Sequence, residues 1–294
     1  MYSQITSNKR KSAILMAIFI AIILALGWIF GRYTGYGYGA VVLAAIISIV
    51  MSLVSYYSGD KVALSVSGAK GPLKKEDNPY IYRLVENLAI TSGLPTPQIY
   101  IINDEAPNAF ATGRDPQHAS IALTTGIVSR LENEELEGVI AHELSHVKNY
   151  DIRFMTIVVV LVGIISVLSQ WFFRGSLLGG GRRRDENEGS GGGALAIIGI
   201  VLIVLSPIIA ELIKLAISRK REFLADADGA LLTRYPEGLA RALEKISAYT
   251  APMKSANAGT AHLFISNPFG KKVAGLFSTH PPVEERIKIL RKMA

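Results

Sequence analysis

Uncharged, mostly apolar residues run from Ala13 to Phe30 and again from Ala40 to Tyr57. Each run is long enough to cross a bilayer as a helix. Gly31 to Gly39, between them, is a short Gly- and Tyr-rich turn with one charge, Arg32. The pair reads as a transmembrane hairpin. A cleaved signal peptide is the other reading of the first run. No clear small-residue cleavage site follows it, and a second span comes at once, so an anchor fits better.

A third uncharged run covers Phe154 to Phe173. A fourth covers Ala194 to Ala210, and its helical pattern continues past Glu211 and Lys214. Between them, Arg174 to Gly193 contains GGG, RRRDENE and GSGGG, a composition that predicts a flexible segment. If both runs crossed, Arg174, Arg182, Arg183 and Arg184 would lie outside, against the positive-inside tendency. The pair is therefore either a full hairpin or no crossing at all. In both cases the chain returns to the side it left.

The polar remainder falls into two pieces, 58–153 and 218–294. In the first, Asn78 and Pro79 predict the cap and first turn of a helix that ends near Gly93. Gln98 to Asn103 and Ala119 to Leu123 have strand composition. Asn133, followed by Glu134 and Glu135, opens a further helix with acids in its first turn. In the second piece, Pro236 and Pro282 open two more helices.

Composition supports this partition. Half of the 294 residues are apolar, and the mean hydropathy is +0.32, high for a chain without membrane spans. The formal charge of +7 could point to nucleic acid, but the positives cluster beside the apolar runs. Lys9, Arg10 and Lys11 precede the first run, Lys70, Lys74 and Lys75 follow the second, and Arg219, Lys220 and Arg221 follow the last. That pattern puts the polar pieces on the cytoplasmic side of a cell membrane, as a multi-pass protein, with no nucleic-acid partner. Cysteine is absent, so thiolate metal sites and disulfides are excluded.

The chemistry lies in His142-Glu143-Leu144-Ser145-His146. Two histidines four apart share one helix face and can reach one metal ion, with the glutamate beside it as a base. A catalytic zinc takes three protein ligands and leaves a fourth position for water. Asp151 is five positions beyond His146 and would be rotated off the shared face of a continuous helix. Glu222, directly after the fourth run, is the better third ligand. Asp226, one turn further on, could accept the free N–H of a ligand histidine. A surface carboxylate paired with a nearby cation is the alternative for Glu222. A continuous helix from His146 to Phe154 would span about 12 Å, placing the site just above the membrane. The charges flanking the motif, Glu132 to Glu137 and Lys148 to Asp151, argue against a site inside the bilayer.

The motif, the segment Arg219-Lys220-Arg221-Glu222-Phe223-Leu224-Ala225-Asp226, the turn Ser278-Thr279-His280-Pro281-Pro282 and Asn108-Ala109-Phe110-Ala111-Thr112-Gly113 together resemble the HtpX family of membrane zinc peptidases, within the membrane gluzincins. The resemblance covers nearly the whole chain. It implies one Zn2+ per chain on His142, His146 and Glu222, and Glu143 as catalytic base. It also supports a substrate-binding edge strand at Asn108, Ala109, Phe110 and Ala111, and a site role for His280 and Arg286. These last two are candidates for stabilising the tetrahedral intermediate. Stress response and quality control of damaged membrane proteins at the cell inner membrane are implied by resemblance alone.

The fold expected is a predominantly α membrane protein with about four hydrophobic segments. Its α+β zincin-like catalytic domain would hold a small sheet with an edge strand and the motif helix. The organisation is a cytoplasmic tail (1–12), a transmembrane hairpin (13–57), a first catalytic part (58–153), the third and fourth hydrophobic segments (154–217), and a second catalytic part (218–294). His262 and His118 read as surface or core residues, and Ser255 to Gly275 as a mobile covering loop. The reaction expected is zinc-dependent endopeptidase cleavage of membrane proteins. A non-enzymatic membrane scaffold with a structural zinc is the alternative, and Glu143 argues against it, because a structural site needs no base.

Overall fold

The computed structural model describes residues 2–163, 219–270 and 280–293. Helices α1 (Tyr2–Thr34) and α2 (Tyr38–Val66) form an antiparallel pair. Both are long and apolar enough to cross a membrane, over Gln4–Arg32 and Tyr38–Val66. Ile14, Ile18, Val42, Ile46 and Ile49 are exposed on them, as lipid-facing side chains would be. Small residues let the helices meet near the turn. A Cβ on Gly27 would lie 2.4 Å from that of Ala44, and one on Gly31 would lie 2.2 Å from the Gly37 carbonyl oxygen.

Both helices outrun their apolar cores. Residues 2–12, expected as a tail, are helical and continuous with the first span. At the other end α2 continues past Asp60 and Lys61 to Val66.

A four-stranded mixed sheet follows, with strands β1 (Ala69–Lys70), β2 (Gln98–Ile102), β3 (Ala109–Gly113) and β4 (Ala119–Thr124). Its order is β1-β2-β4-β3. Strands β2 and β4 are parallel and the other pairs antiparallel, so β3 is an edge. Helix α3 (Pro79–Ser92) starts and stops where its punctuation predicts. Asn78 accepts a hydrogen bond from the Ile81 N–H at 3.1 Å, Pro79 sits in the first turn, and Gly93 closes the helix with φ 72°. The short α4 (Thr125–Arg130) leads into α5 (Asn133–Lys148), whose N-terminus is closed by Glu135 accepting the Glu132 N–H at 2.9 Å.

Helix α5 ends one residue before a break. Tyr150 adopts φ 59°, and the chain resumes as α6 at residues 151–163. The continuous helix expected from His146 to Phe154 is therefore two helices. Residues 154–163 of the third apolar run are in α6, and Phe154, Ile157 and Leu161 pack against Leu15 and Phe19 of α1. The rest of that run, the Arg174–Gly193 segment and the fourth run lie outside the described residues. Helices α7 (Arg219–Thr233), α8 (Pro236–Ala248) and α9 (Val283–Arg291) complete the chain. The main core lies between one sheet face and α3, α5 and α8, around Val85, Ile121, Leu123, Ile140, Leu144 and Leu243. A second cluster, with Phe110, Met155 and Phe264, covers the other side.

Candidate active site

Helix α5 is buried over almost its whole second half, so both motif histidines point into protein rather than solvent. Helix α7 crosses it closely. Gly229 makes that approach possible, since a Cβ there would lie 3.0 Å from the His142 nitrogen. The crossing brings Glu222 to the motif. His142 Nε2 and His146 Nε2 are 3.3 Å apart. Glu222 Oε1 lies 3.6 Å from His146 Nε2, and Oε2 lies 3.8 Å from His142 Nε2. All three residues are buried and form the one group among the described residues placed to hold a metal ion.

The outer nitrogens of the two rings each meet a carboxylate. His142 Nδ1 is 3.0 Å from Asp226 Oδ1, the contact expected from the Glu222–Asp226 spacing. His146 Nδ1 is 3.1 Å from Asp151 Oδ2. Asp151 was missed in sequence because a continuous helix would turn it away; the break at Asn149-Tyr150 turns it back. With Nδ1–H donating outward, each ring in its neutral, metal-binding form would present its Nε2 lone pair towards Glu222.

Arg286 donates to Asp226 through Nε at 2.8 Å and Nη2 at 2.6 Å, a bidentate pair on a buried carboxylate. Its Nη1 is 3.8 Å from Glu222 Oε2. Arg286, expected as a candidate partner of the intermediate, thus packs against both the Asp226 and the Glu222 carboxylates. His280 Nδ1 is 2.7 Å from Glu222 Oε2, and its Nε2 is within hydrogen-bond distance of the Phe264 carbonyl oxygen.

The charges are strongly coupled. Burial alone would raise Glu222, but His280, His146 and Arg286 outweigh it and hold the carboxyl well below its usual range. Burial likewise opposes ionisation of Asp226, and Arg286 and His142 overcome it, bringing the group to about 2. His146 is lowered by burial but raised to about 9 by the Asp151 hydrogen bond and the surrounding carboxylates. Glu143 is pushed up, chiefly by burial. The positive character of His142 and His146 and a hydrogen bond from the Ala111 backbone moderate that rise.

That Ala111 contact places β3 beside the base. The outer edge of β3 is taken by the chain itself. The Ile265 N–H donates to the Ala109 carbonyl at 2.9 Å. The Asn108 amide brackets Ser266, donating to its carbonyl at 2.9 Å and accepting its N–H at 3.2 Å. Phe264 packs edge-on against Phe110, with ring centroids 4.9 Å apart. Within the expected covering loop, residues 260–265 are therefore buried and bonded. His262 is a core residue, with Nε2 3.2 Å from the Met155 carbonyl oxygen. His118 is at the surface and pairs with Asp115 at 2.7 Å.

A buried HExxH helix joined by a glutamate from a separate helix defines a metallopeptidase. The family follows from comparison: the model of Peptidase family M48 matches residues 75–294, and the chain belongs to that family. It is 45% identical over 294 residues to a protein named "Protease HtpX homolog" from Caldanaerobacter subterraneus subsp. tengcongensis, covering 100% of this chain and 98% of the relative. A relative of the same name from Lactobacillus helveticus is 42% identical over 304 residues, with both chains fully covered. The crystal structure of S. mikatae Ste24p shares the fold, with a TM-score of 0.51 and 18% identity over 99% of this chain and 67% of that one. The resemblance to HtpX thus holds along the whole chain, and the protein is an M48 metalloendopeptidase. A non-enzymatic scaffold is set aside.

Proposed function

We propose that this metalloendopeptidase holds one zinc ion on His142, His146 and Glu222 and hydrolyses peptide bonds of membrane proteins on the cytoplasmic side, with Glu143 as general base. The observation that carries the reading is the spacing of the ligand atoms. Zinc–ligand distances of about 2.1 Å in a tetrahedron give ligand–ligand edges of about 3.4 Å. The three edges here are 3.3, 3.6 and 3.8 Å. Two imidazole nitrogens and one carboxylate oxygen are also a donor set used by catalytic zinc sites.

When bound, zinc supplies the Lewis acidity that allows water to attack an amide near neutral pH. Glu143 takes the proton of the attacking water on its carboxylate and delivers it to the leaving amine nitrogen. A substrate strand adds to β3 through Asn108, Ala109, Phe110 and Ala111, taking the hydrogen bonds now made by residues 265 and 266. His280 then faces substrate. Its Nε2 already meets a backbone carbonyl, that of Phe264, and a substrate carbonyl in the same place would meet the same nitrogen. Arg286 and Asp226 fix His142.

The catalytic unit is assembled from 58–153 and 218–294. The basic clusters flanking the spans favour a cytoplasmic location for it, and contact between α1 and α6 supports a site close to the membrane. Damaged membrane proteins are the substrates this placement suits. Glu143→Gln tests the mechanism. The variant should retain about one zinc per chain and lose roughly 10²–10⁴-fold in casein hydrolysis. Full activity in that variant would dismiss the mechanism.

A further inference from the structure

The two ligand histidines are supported in parallel ways by opposite ends of the chain. On one side, His142 rests on Asp226, and Asp226 is gripped by Arg286 of the C-terminal helix α9. On the other, His146 rests on Asp151 through Oδ2. The second oxygen of that carboxylate, Oδ1, accepts a hydrogen bond of 2.7 Å from the Asn8 side-chain amide. Asn8 belongs to α1, less than two turns before the first apolar run. The same amide nitrogen donates to the Asn149 carbonyl at 2.9 Å. Its two N–H groups therefore hold both the carboxylate and the helix break that aims it. Asn8 and Asp151 are each 2% exposed, so neither contact has water as a ready substitute. Lys9, the next residue, lies 4.3 Å from the centre of the Tyr150 ring, on the residue that makes the break.

From this geometry we infer that Asn8 and Asp151 are positioning residues for the metal ligand His146, so that the first membrane helix completes the metal site. Asp151 holds the Nδ1–H tautomer and ring orientation that present Nε2 to the ion. Asn8 holds the Asp151 oxygen that faces away from His146 at 2.7 Å, whereas Arg221 Nε stands 3.7 Å from the same oxygen. The inference rests on the proposed zinc role of His146.

The test is zinc affinity of the full-length protein in detergent, measured by competition with a chromophoric chelator. Asp151→Asn should weaken binding by about 10–100-fold, and Asn8→Ala by about tenfold. If Asn8 acts through Asp151, the double variant should bind no more weakly than Asp151→Asn alone. A merely structural Asn8 would lower the melting temperature of the metal-free protein and leave zinc affinity unmoved. Should Asn8→Ala not fold, the near-isosteric Asn8→Leu keeps the packed volume, removes the donor without adding a charge and should bind zinc more weakly than wild type. Zinc affinity within twofold of wild type for the folded Asn8 variant, or full additivity in the double variant, overturns the inference alone. A wild type that takes up no zinc overturns the metal reading beneath it as well.

Discussion

Burial has opposite outcomes for two histidines of this chain, and their neighbours decide which. His146 is surrounded by carboxylates, which raise it to about 9 against the pull of burial. His262 meets only a backbone carbonyl through its Nε2, while Nδ1 has no hydrogen-bond partner among the described residues. Burial therefore lowers it to about 4, and it stays neutral in the folded protein at neutral pH. In the unfolded chain a histidine titrates near 6.5. The unfolded state thus binds an extra proton as pH falls below that value. The stabilising contribution of neutral His262 is complete above pH 6.5 and is lost progressively as pH falls towards 4, by about 3 kcal/mol in all. His262→Gln keeps a donor for the Met155 carbonyl and removes the titration. Its stability deficit relative to wild type should shrink as pH falls from 7 to 4 in detergent unfolding experiments. Parallel pH profiles for the two proteins would show that His262 does not titrate as its burial requires.

At the scale of elements, the site depends on how closely helices approach α5. A Cβ on Gly229 would press on the His142 backbone at 3.0 Å. Glu222 lies seven residues earlier on the same helix, so a shift of α7 by a few tenths of an ångström moves a ligand. A Cβ on Gly138 would lie 2.7 Å from the Leu239 nitrogen; this glycine sits one turn before His142, but it presses on α8, which carries no ligand. Gly229→Ala should therefore weaken zinc binding more than it lowers the melting temperature. Gly138→Ala should cost about 1–3 kcal/mol of stability with zinc affinity little changed. Equal zinc affinities in the two variants would contradict this division.

The edge of β3 makes a separate prediction. If substrate adds as a strand, it displaces the Ile265 N–H from Ala109. Hydrogen exchange at Ile265 should then rise by up to about tenfold when a substrate peptide saturates Glu143→Gln, the factor expected for one lost hydrogen bond. Unchanged or slower exchange would place the peptide elsewhere.

These elements also show what sequence could and could not supply. Helix α3 was legible at both ends because Asn78, Pro79 and Gly93 act locally. The motif helix was legible from its spacing and acidic first turn. Glu222 was the best candidate from its place after the fourth run, but its pairing with the motif rests on a crossing with a helix far along the chain, so a surface carboxylate stayed open until the resemblance strengthened the choice. Asp151 was lost because the break depends on Tyr150, a residue with no turn signature, adopting a positive φ. Asn8 was lost because it sits in a polar prefix that reads as a tail, and its partner is 143 positions away.

For the whole molecule, the side of the membrane each part faces decides what the active site can reach. The proposed arrangement puts the turn between α1 and α2 outside, and every element of the catalytic unit on the cytoplasmic side. Arg32 is the one charge near that turn, whereas basic clusters sit at the far ends of both helices. Arg221 is a weaker topological signal than its sequence position implies, because it is buried beside Asp151 and Phe154. The remaining basic residues still favour the same side. The absence of cysteine makes this directly measurable, since a single introduced thiol is the only one in the chain. Tyr36 is 73% exposed in the turn, and Lys288 is exposed on α9. In intact cells, Tyr36→Cys should react with a membrane-impermeant maleimide, and Lys288→Cys should react only after the membrane is opened. Both substitutions lie away from the ligands, so each variant should keep its peptidase activity, which confirms that the labelled protein is folded. Labelling of both thiols from outside would place the active site on the wrong side for cytoplasmic cleavage. Protection of both would mean that α1 and α2 do not span, and that the first helix reaches His146 without crossing the bilayer.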